Sequence, residues 1–129
     1  MNYRIFEYLQ NNIPYTVSFG QDLDFETVDE FVKVSAKSVK HDEGVAQNYV
    51  SYNLYIEGYT KRNNPYRHYE MAKTILSILK HKILLSDNSV VEIEQPVDVE
   101  YLELWENIKK FIITFSVKEV LWYGWCSKK

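Results

Sequence analysis

Hydrophobic and polar positions alternate most clearly in residues 49–79. In 49–57, Val50, Tyr52, Leu54 and Ile56 share one parity, while mostly polar or amphipathic side chains take the other, which is the two-residue period of a half-buried strand. The polar segment 61–64 follows. Asn64 suits an N-cap, and Pro65 suits the first helical position, where a missing N–H costs nothing. Ala72, Ile75, Leu76, Leu79 and Ile83 then recur at three- and four-residue spacings, with Arg67, Glu70, Lys73, Thr74, Ser77 and Lys80 filling the opposite face. A helix is therefore expected to begin at Asn64 and Pro65 and to lay this stripe on a sheet.

Other stretches complete the plan. Ile5, Phe6 and Leu9, with Tyr8 beside them, have helical spacing and precede Pro14, as in a short docking helix. Residues 15–19 alternate and can form a strand ended by Gly20. Residues 31–39 place Val32, Val34 and Ala36 together, with Lys33 and Lys37 opposite. The polar connector 40–47, with Gly44 inside it, reads as a hairpin loop joining that strand antiparallel to 48–58. Turn chemistry at Ser86, Asp87 and Asn88 leads to a shorter strand over 89–94, before Pro96. The segment 95–106 mixes Asp98, Glu100, Glu103 and Glu106 with Val97, Val99, Tyr101, Leu102, Leu104 and Trp105, and fits either an acidic strand and turn or a short helical piece. Residues 108–117 form the strongest strand, with Phe111, Ile113, Phe115 and Val117 inward, and are expected near the centre of the sheet. The aromatic tail 119–129 is too apolar to stand in water, so it is expected to be buried against this subunit or a neighbour. The expected fold is α+β in a single domain over 1–129: an antiparallel sheet of about four or five strands with two helices packed on one face.

Composition narrows the function. A chain of 129 residues with 46% hydrophobic content can bury one real core. A net charge of −3 gives no overall electrostatic case for nucleic acid, and no sequence-specific nucleic-acid partner is expected. Cys126 is the only cysteine and cannot make an internal disulfide, and no basic start leads into an apolar run, so a cytosolic product is expected. No apolar run approaches the roughly 18 residues that span a membrane. Of the eleven tyrosines, six lie between residues 49 and 69, which fits either an amphipathic sheet whose tyrosines cover core edges or a contact surface.

Candidate chemistry is sparse. His41, His68 and His81 are scattered and read as surface or cap histidines. Glu92 and Glu94 share a strand face without a third acidic partner. Asp22, Asp24, Glu26, Asp29 and Glu30 read as a solvated loop. Cys126 sits among aromatics with no nearby histidine, as an inert thiol would. Phosphate loops, nucleophile elbows and dinucleotide glycines are absent from the sequence, so neither enzymatic activity nor a cofactor is expected. The charge pattern is more informative. Lys61, Arg62, Arg67, Lys73, Lys80 and Lys82 stand against a lone Glu70, whereas residues 92–106 carry six carboxylates and no base. These are either two solvated faces or, if they lie on opposite flanks, a basis for head-to-tail contact between copies and closure into a ring.

The succession of an N-terminal helix, a hairpin strand Tyr49-Val50-Ser51-Tyr52-Asn53-Leu54-Tyr55-Ile56, a polar turn, a helix containing Tyr69-Glu70-Met71-Ala72-Lys73-Thr74-Ile75-Leu76 and closing strands resembles the tail terminator and tail-completion (minor capsid) proteins of long-tailed bacteriophages. The resemblance covers roughly residues 1–118, and the aromatic tail with Trp122 and Trp125 departs from it. It implies a structural virion protein made in the host cytoplasm and placed at the head–tail junction. Such proteins typically form a hexameric ring that caps the tail tube and receives the head connector or neck protein, with no cofactor. Exposure logic nominates Tyr101, Leu102, Leu104, Trp105, Trp122 and Trp125 as contact residues, with Arg62 and Arg67 facing a neighbour's acidic segment. The alternative is a small monomeric inhibitor or immunity-type protein that binds a single protein partner through 22–30 or 92–106. A weaker possibility is a ligand-binding or enzymatic domain with a Tyr-lined pocket.

Overall fold

Alternation along three long strands builds the centre of the fold. The computed structural model describes residues 4–20, 29–38, 49–61, 64–79, 81–85, 90–94, 98–104 and 108–120. Its elements are α1 (Ile5–Asn12), β1 (Val17–Phe19), β2 (Glu30–Ser38), β3 (Tyr49–Thr60), α2 (Arg67–Ile78), β4 (Lys82–Leu84), β5 (Val90–Ile93), β6 (Asp98–Glu103) and β7 (Lys109–Val120). The expected α+β class holds, but the sheet has seven strands rather than four or five, in the order β1-β2-β3-β7-β5-β4, with β6 also on β7. β1 lies within the expected strand 15–19; the strands not expected as such are β4, whose three residues are too few to display a period, and β6, formed by the segment left open between strand and helix. The sheet is also not purely antiparallel, because β1 pairs parallel to β2.

The register places Val34 opposite Ile56, Ile56 opposite Ile113, Leu54 opposite Phe115 and Tyr52 opposite Val117, so a single face of β2, β3 and β7 is apolar. Both helices bury their stripes on that face: Ile5 and Leu9 from α1, and Met71, Ala72 and Ile75 from α2 with Leu79 just after it, join one core with these strands. Full burial of an aliphatic side chain such as Ile75 contributes about 1.5–3 kcal/mol. The long central strand Lys109–Val120 carries the expected inward residues Phe111, Ile113, Phe115 and Val117, all buried. It also runs past the boundary at 119 assumed for the tail, and the segment 121–129 lies outside the described residues. Glu119 is buried because it has work at the start of α1. Its carboxylate accepts the Ile5 N–H at 3.2 Å and the Tyr52 hydroxyl at 2.5 Å, satisfying a helix N–H that has no partner within the helix. The Tyr8 hydroxyl donates to the Ile78 carbonyl at 3.2 Å, tying α1 to the end of α2.

Two local expectations need correction. α2 begins at Arg67, later than Asn64 and Pro65. The Asn64 side-chain oxygen accepts the Tyr66 N–H at 2.9 Å and its carbonyl accepts the Arg67 N–H at 3.2 Å, so Asn64 shapes a turn ahead of the helix instead of capping it. The helical stripe also stops at Leu79. Ile83 is buried from β4, opposite Val91, and its four-residue spacing from Leu79 is a coincidence across the turn. Among the described residues, no helix is long and apolar enough to cross a membrane.

Candidate interaction surface

The acidic segment that the periodicity left open forms β6, antiparallel to the first half of β7. On the same register the Leu104 N–H donates to the Ile108 carbonyl at 2.7 Å. Antiparallel alternation then turns the backbone groups of Asp98, Glu100 and Leu102 toward β7, and directs those of Val99, Tyr101 and Glu103 away from it. Among the described residues β6 has no strand on that second side. Tyr101 and Leu102 are each 39% exposed there, between Asp98, Glu100 and Glu103.

β5 occupies the other half of the same side of β7, pairing with Val117–Val120, and β4 lies one strand further out. The sheet boundary is therefore a step, with β4 projecting and β6 recessed. On β4, the Ile93 N–H donates to the His81 carbonyl at 2.8 Å. The same alternation leaves the backbone groups of Lys82 and Leu84 pointing outward. Leu84 is 69% exposed, the most exposed large hydrophobic side chain among the described residues.

α2 reaches β6 through aromatic rings. Tyr69 and Tyr101 have ring centroids 4.4 Å apart, and His68 lies 4.2 Å from the Tyr69 ring and 5.7 Å edge-on from Tyr101. Tyr66 stands 68% exposed one turn before. His68 is not the surface or cap histidine expected: it is 2% exposed, and its buried Nδ1 has no hydrogen-bond partner among the described residues. Burial lowers its pKa, as does nearby Lys109, and Glu103 opposes them. Burial raises the Tyr101 pKa, with Tyr69 adding to the effect. His81 is exposed, with Nδ1 3.1 Å from the Ile93 carbonyl oxygen.

Arg67 is also engaged within the chain. Its Nε and Nη2 donate to the two carboxylate oxygens of Glu30 at 2.6 and 2.9 Å, and Nη1 reaches Glu70 at 3.3 Å. Glu30, assigned by sequence to a solvated loop, is buried at the start of β2 and also accepts the Thr60 hydroxyl at 2.8 Å. The first turn of α2 thus joins β2 on one side and meets acidic β6 on the other. The basic and acidic segments touch within one subunit, so they do not form the opposite flanks on which head-to-tail attraction depends.

On the sheet face opposite the helices, Phe31 and Tyr59 stack with centroids 4.7 Å apart. Lys110 lies 3.1 Å from the Glu57 carboxylate and 4.9 Å from the centre of the Tyr59 ring, and Tyr59 donates to Glu57 at 2.8 Å. Burial favours the neutral form of Lys110, but its hydrogen bonds to Tyr59 and Glu57 outweigh this and raise its pKa. A cleft of about 170 Å³ between α1 and the end of β4 is lined by Glu7, Tyr8, Asn11, Asn12, Leu84 and Leu85. It is smaller than the roughly 300–1,000 Å³ of ordinary ligand pockets. Among the described residues, no three His, Cys, Asp or Glu side chains converge to hold a metal ion.

Of the residues nominated by sequence, Tyr101 and Leu102 are exposed together on β6, and Leu104 is half-buried just beyond it. Arg62, Trp105, Trp122 and Trp125 lie outside the described residues, as do His41 and Cys126. Tyr69 and Leu84 were missed. The signal for Leu84 was its two-residue spacing from Lys82, hidden by reading Ile83 as the end of a helix.

No protein-family model and no curated protein matches the chain. One solved structure, under a name that states no function, aligns with a TM-score of 0.57 at 10% identity, covering 94% of this chain and 90% of that one. At that identity the likeness shows a shared fold alone.

Proposed function

We propose that the chain is a structural subunit that works through protein contact rather than catalysis, as a tail terminator-like protein that caps a phage tail tube and presents a docking surface to the head connector. The observation that carries this reading is the β6 edge. Outward backbone groups of β6 that meet no strand among the described residues, beside exposed Tyr101 and Leu102 and flanked by exposed Tyr66 and Tyr69, form a surface suited to adding a partner strand. The resemblance over most of the chain supplies the identity of the partner, and in this reading several copies close into a ring, expected to be a hexamer. Recruitment to the tube rests on shape and apolar contact at this edge, because Arg67 is already held by Glu30.

The test mixes purified protein with purified tail tubes that lack their own terminator, followed by co-sedimentation and negative-stain microscopy. Protein bound at one end of each tube as a ring supports the proposal. Bare tubes together with a stably monomeric protein contradict it, and favour the alternative of a small inhibitor that engages one partner protein.

A further inference from the structure

We infer that two copies pair about a two-fold axis perpendicular to the sheet, β4 of each copy docking on the open β6 edge of the other. The stepped boundary carries the argument. β6 lies opposite Lys109–Thr114 and β4 projects beside β5, which lies opposite Val117–Val120. A half-turn about the step brings the projecting strand of one copy into the recess of the other, twice over, so a single isologous contact fills both recesses.

Strand direction and backbone alternation both permit this fit. β4 runs opposite to β5, and β5 and β6 both run opposite to β7. After the half-turn, β4 of the second copy is parallel to β6 of the first. In a parallel ladder, residues that direct their backbone groups at the partner lie opposite residues that direct theirs away. Lys82 and Leu84 point outward from β4, while Glu100 and Leu102 are turned toward β7 and their neighbours Val99, Tyr101 and Glu103 point outward. Setting Lys82 opposite Glu100, Ile83 opposite Tyr101 and Leu84 opposite Leu102 satisfies that rule. The side chains of Lys82, Leu84, Glu100 and Leu102 then all fall on the face away from the helices.

Chemistry selects this pairing over the symmetric alternatives. β6 against β6 would bring together two strands that each carry Asp98, Glu100 and Glu103 and no base, and β4 against β4 would bring two Lys82 side chains near each other with no acid on either strand. The crossed arrangement instead sets exposed Lys82 beside exposed Glu100, and covers Leu84 and Leu102, which are 69% and 39% exposed in the single chain. Opposite charges and apolar cross-strand pairs both favour the register, whereas two acidic or two basic strands side by side repel each other. The pair occupies the β6 edge of both copies, so it and a ring contact through that edge exclude each other. It forms without tail tubes, and its test is therefore separate from the test of the capping role.

Cysteine cross-linking tests the contact directly. Within one chain Leu84 aligns through Val90 with Val120, and Leu102 aligns with Lys110, ten positions away along β7 (120 minus 110). At about 3.3 Å per residue this places them some 33 Å apart, too far for a disulfide within a chain. The Leu84→Cys/Leu102→Cys variant in a Cys126→Ser background should oxidise to a species of doubled mass that reverts on reduction, and neither single cysteine variant should match its yield. Glu100→Lys, at an exposed position opposite uncharged Ile112, and Lys82→Glu, checked for folding by thermal unfolding because Glu92 lies directly opposite it in the same chain, should each weaken dimerisation by roughly tenfold or more in sedimentation, and an equimolar mixture of the two should recover it. A wild-type protein that sediments as a monomer at every concentration, or a dimer indifferent to both substitutions and to the cysteine pair, overturns the inference.

Discussion

Arg67 and Glu30, 37 positions apart, meet as a two-pronged pair at 2.6 and 2.9 Å that locks the first turn of α2 to the start of β2. The Glu30 side chain is 6% exposed and that of Arg67 is 23% exposed, so removing the guanidinium leaves a buried carboxylate without its counter-charge. Losing one partner of a buried ion pair costs about 3–5 kcal/mol, and the lower end applies here because Arg67 is partly solvated and Thr60 remains as a donor. Arg67→Met should lower the unfolding free energy by about 3 kcal/mol in urea denaturation. Arg67→Met combined with Glu30→Gln should recover a large part of the loss. Reversing the charge at Arg67 should therefore destabilise the subunit itself, because Arg67 is held by Glu30 within the chain and not, as expected, by a neighbour's acidic segment.

Gly58 faces Phe111 across β3 and β7, and a Cβ added to Gly58 would stand 1.9 Å from Cε2 of the buried Phe111 ring. The ring occupies the space that the glycine leaves. Gly58→Ala should cost about 2 kcal/mol or more through overpacking. The penalty should shrink in a Phe111→Leu background, and a double-mutant cycle by thermal unfolding reads the coupling.

The same two strands show why some of the fold was legible in the sequence and some was not. β2, β3 and β7 are long, carry one apolar face each and were read with the correct inward residues, because a two-residue period sustained over many positions leaves no alternative. α1 and the body of α2 were equally plain. β6 stayed undecided because both of its faces are polar or exposed at the sheet edge, which erases the period. β4 has only three residues, and Ile83 falls in step with the helical stripe that precedes it, so no period marks it; β1 lies within the expected strand 15–19, but its parallel pairing with β2 carries no local signal. The site was legible only in part. Tyr101 and Leu102 stood out as apolar residues in an acidic run, but the partners of Arg67 and His68 depend on contacts between distant segments, which no local pattern encodes.

His68 makes stability depend on pH in a definite direction. It is buried beside the Tyr69 and Tyr101 rings, with Lys109 and Glu103 as the nearby charges, and its folded-state pKa is depressed by burial and by Lys109. The unfolded chain, with a histidine pKa of about 6.5, takes up a proton that the folded chain refuses. At pH 8 the ring is neutral in both states and adds no pH dependence, and stability falls as pH drops below about 6.5 toward the lower folded value. His68→Phe removes this component. Unfolding free energies measured between pH 8 and 5 should decline less steeply for the variant than for the wild type.

The central claim is that the outward backbone groups of β6 are a contact surface, and residue-resolved amide exchange at increasing protein concentration tests it most directly. In the paired form the Tyr101 N–H donates to the Lys82 carbonyl of the second copy and the Glu103 N–H to that of Leu84, while Lys82 and Leu84 donate to Val99 and Tyr101. Protection of the amides of Tyr101, Glu103, Lys82 and Leu84 should rise together with concentration, while that of Glu100 and Leu102, already bonded to β7, stays constant. Amides of Tyr101 and Glu103 that exchange equally fast at every concentration would contradict the account.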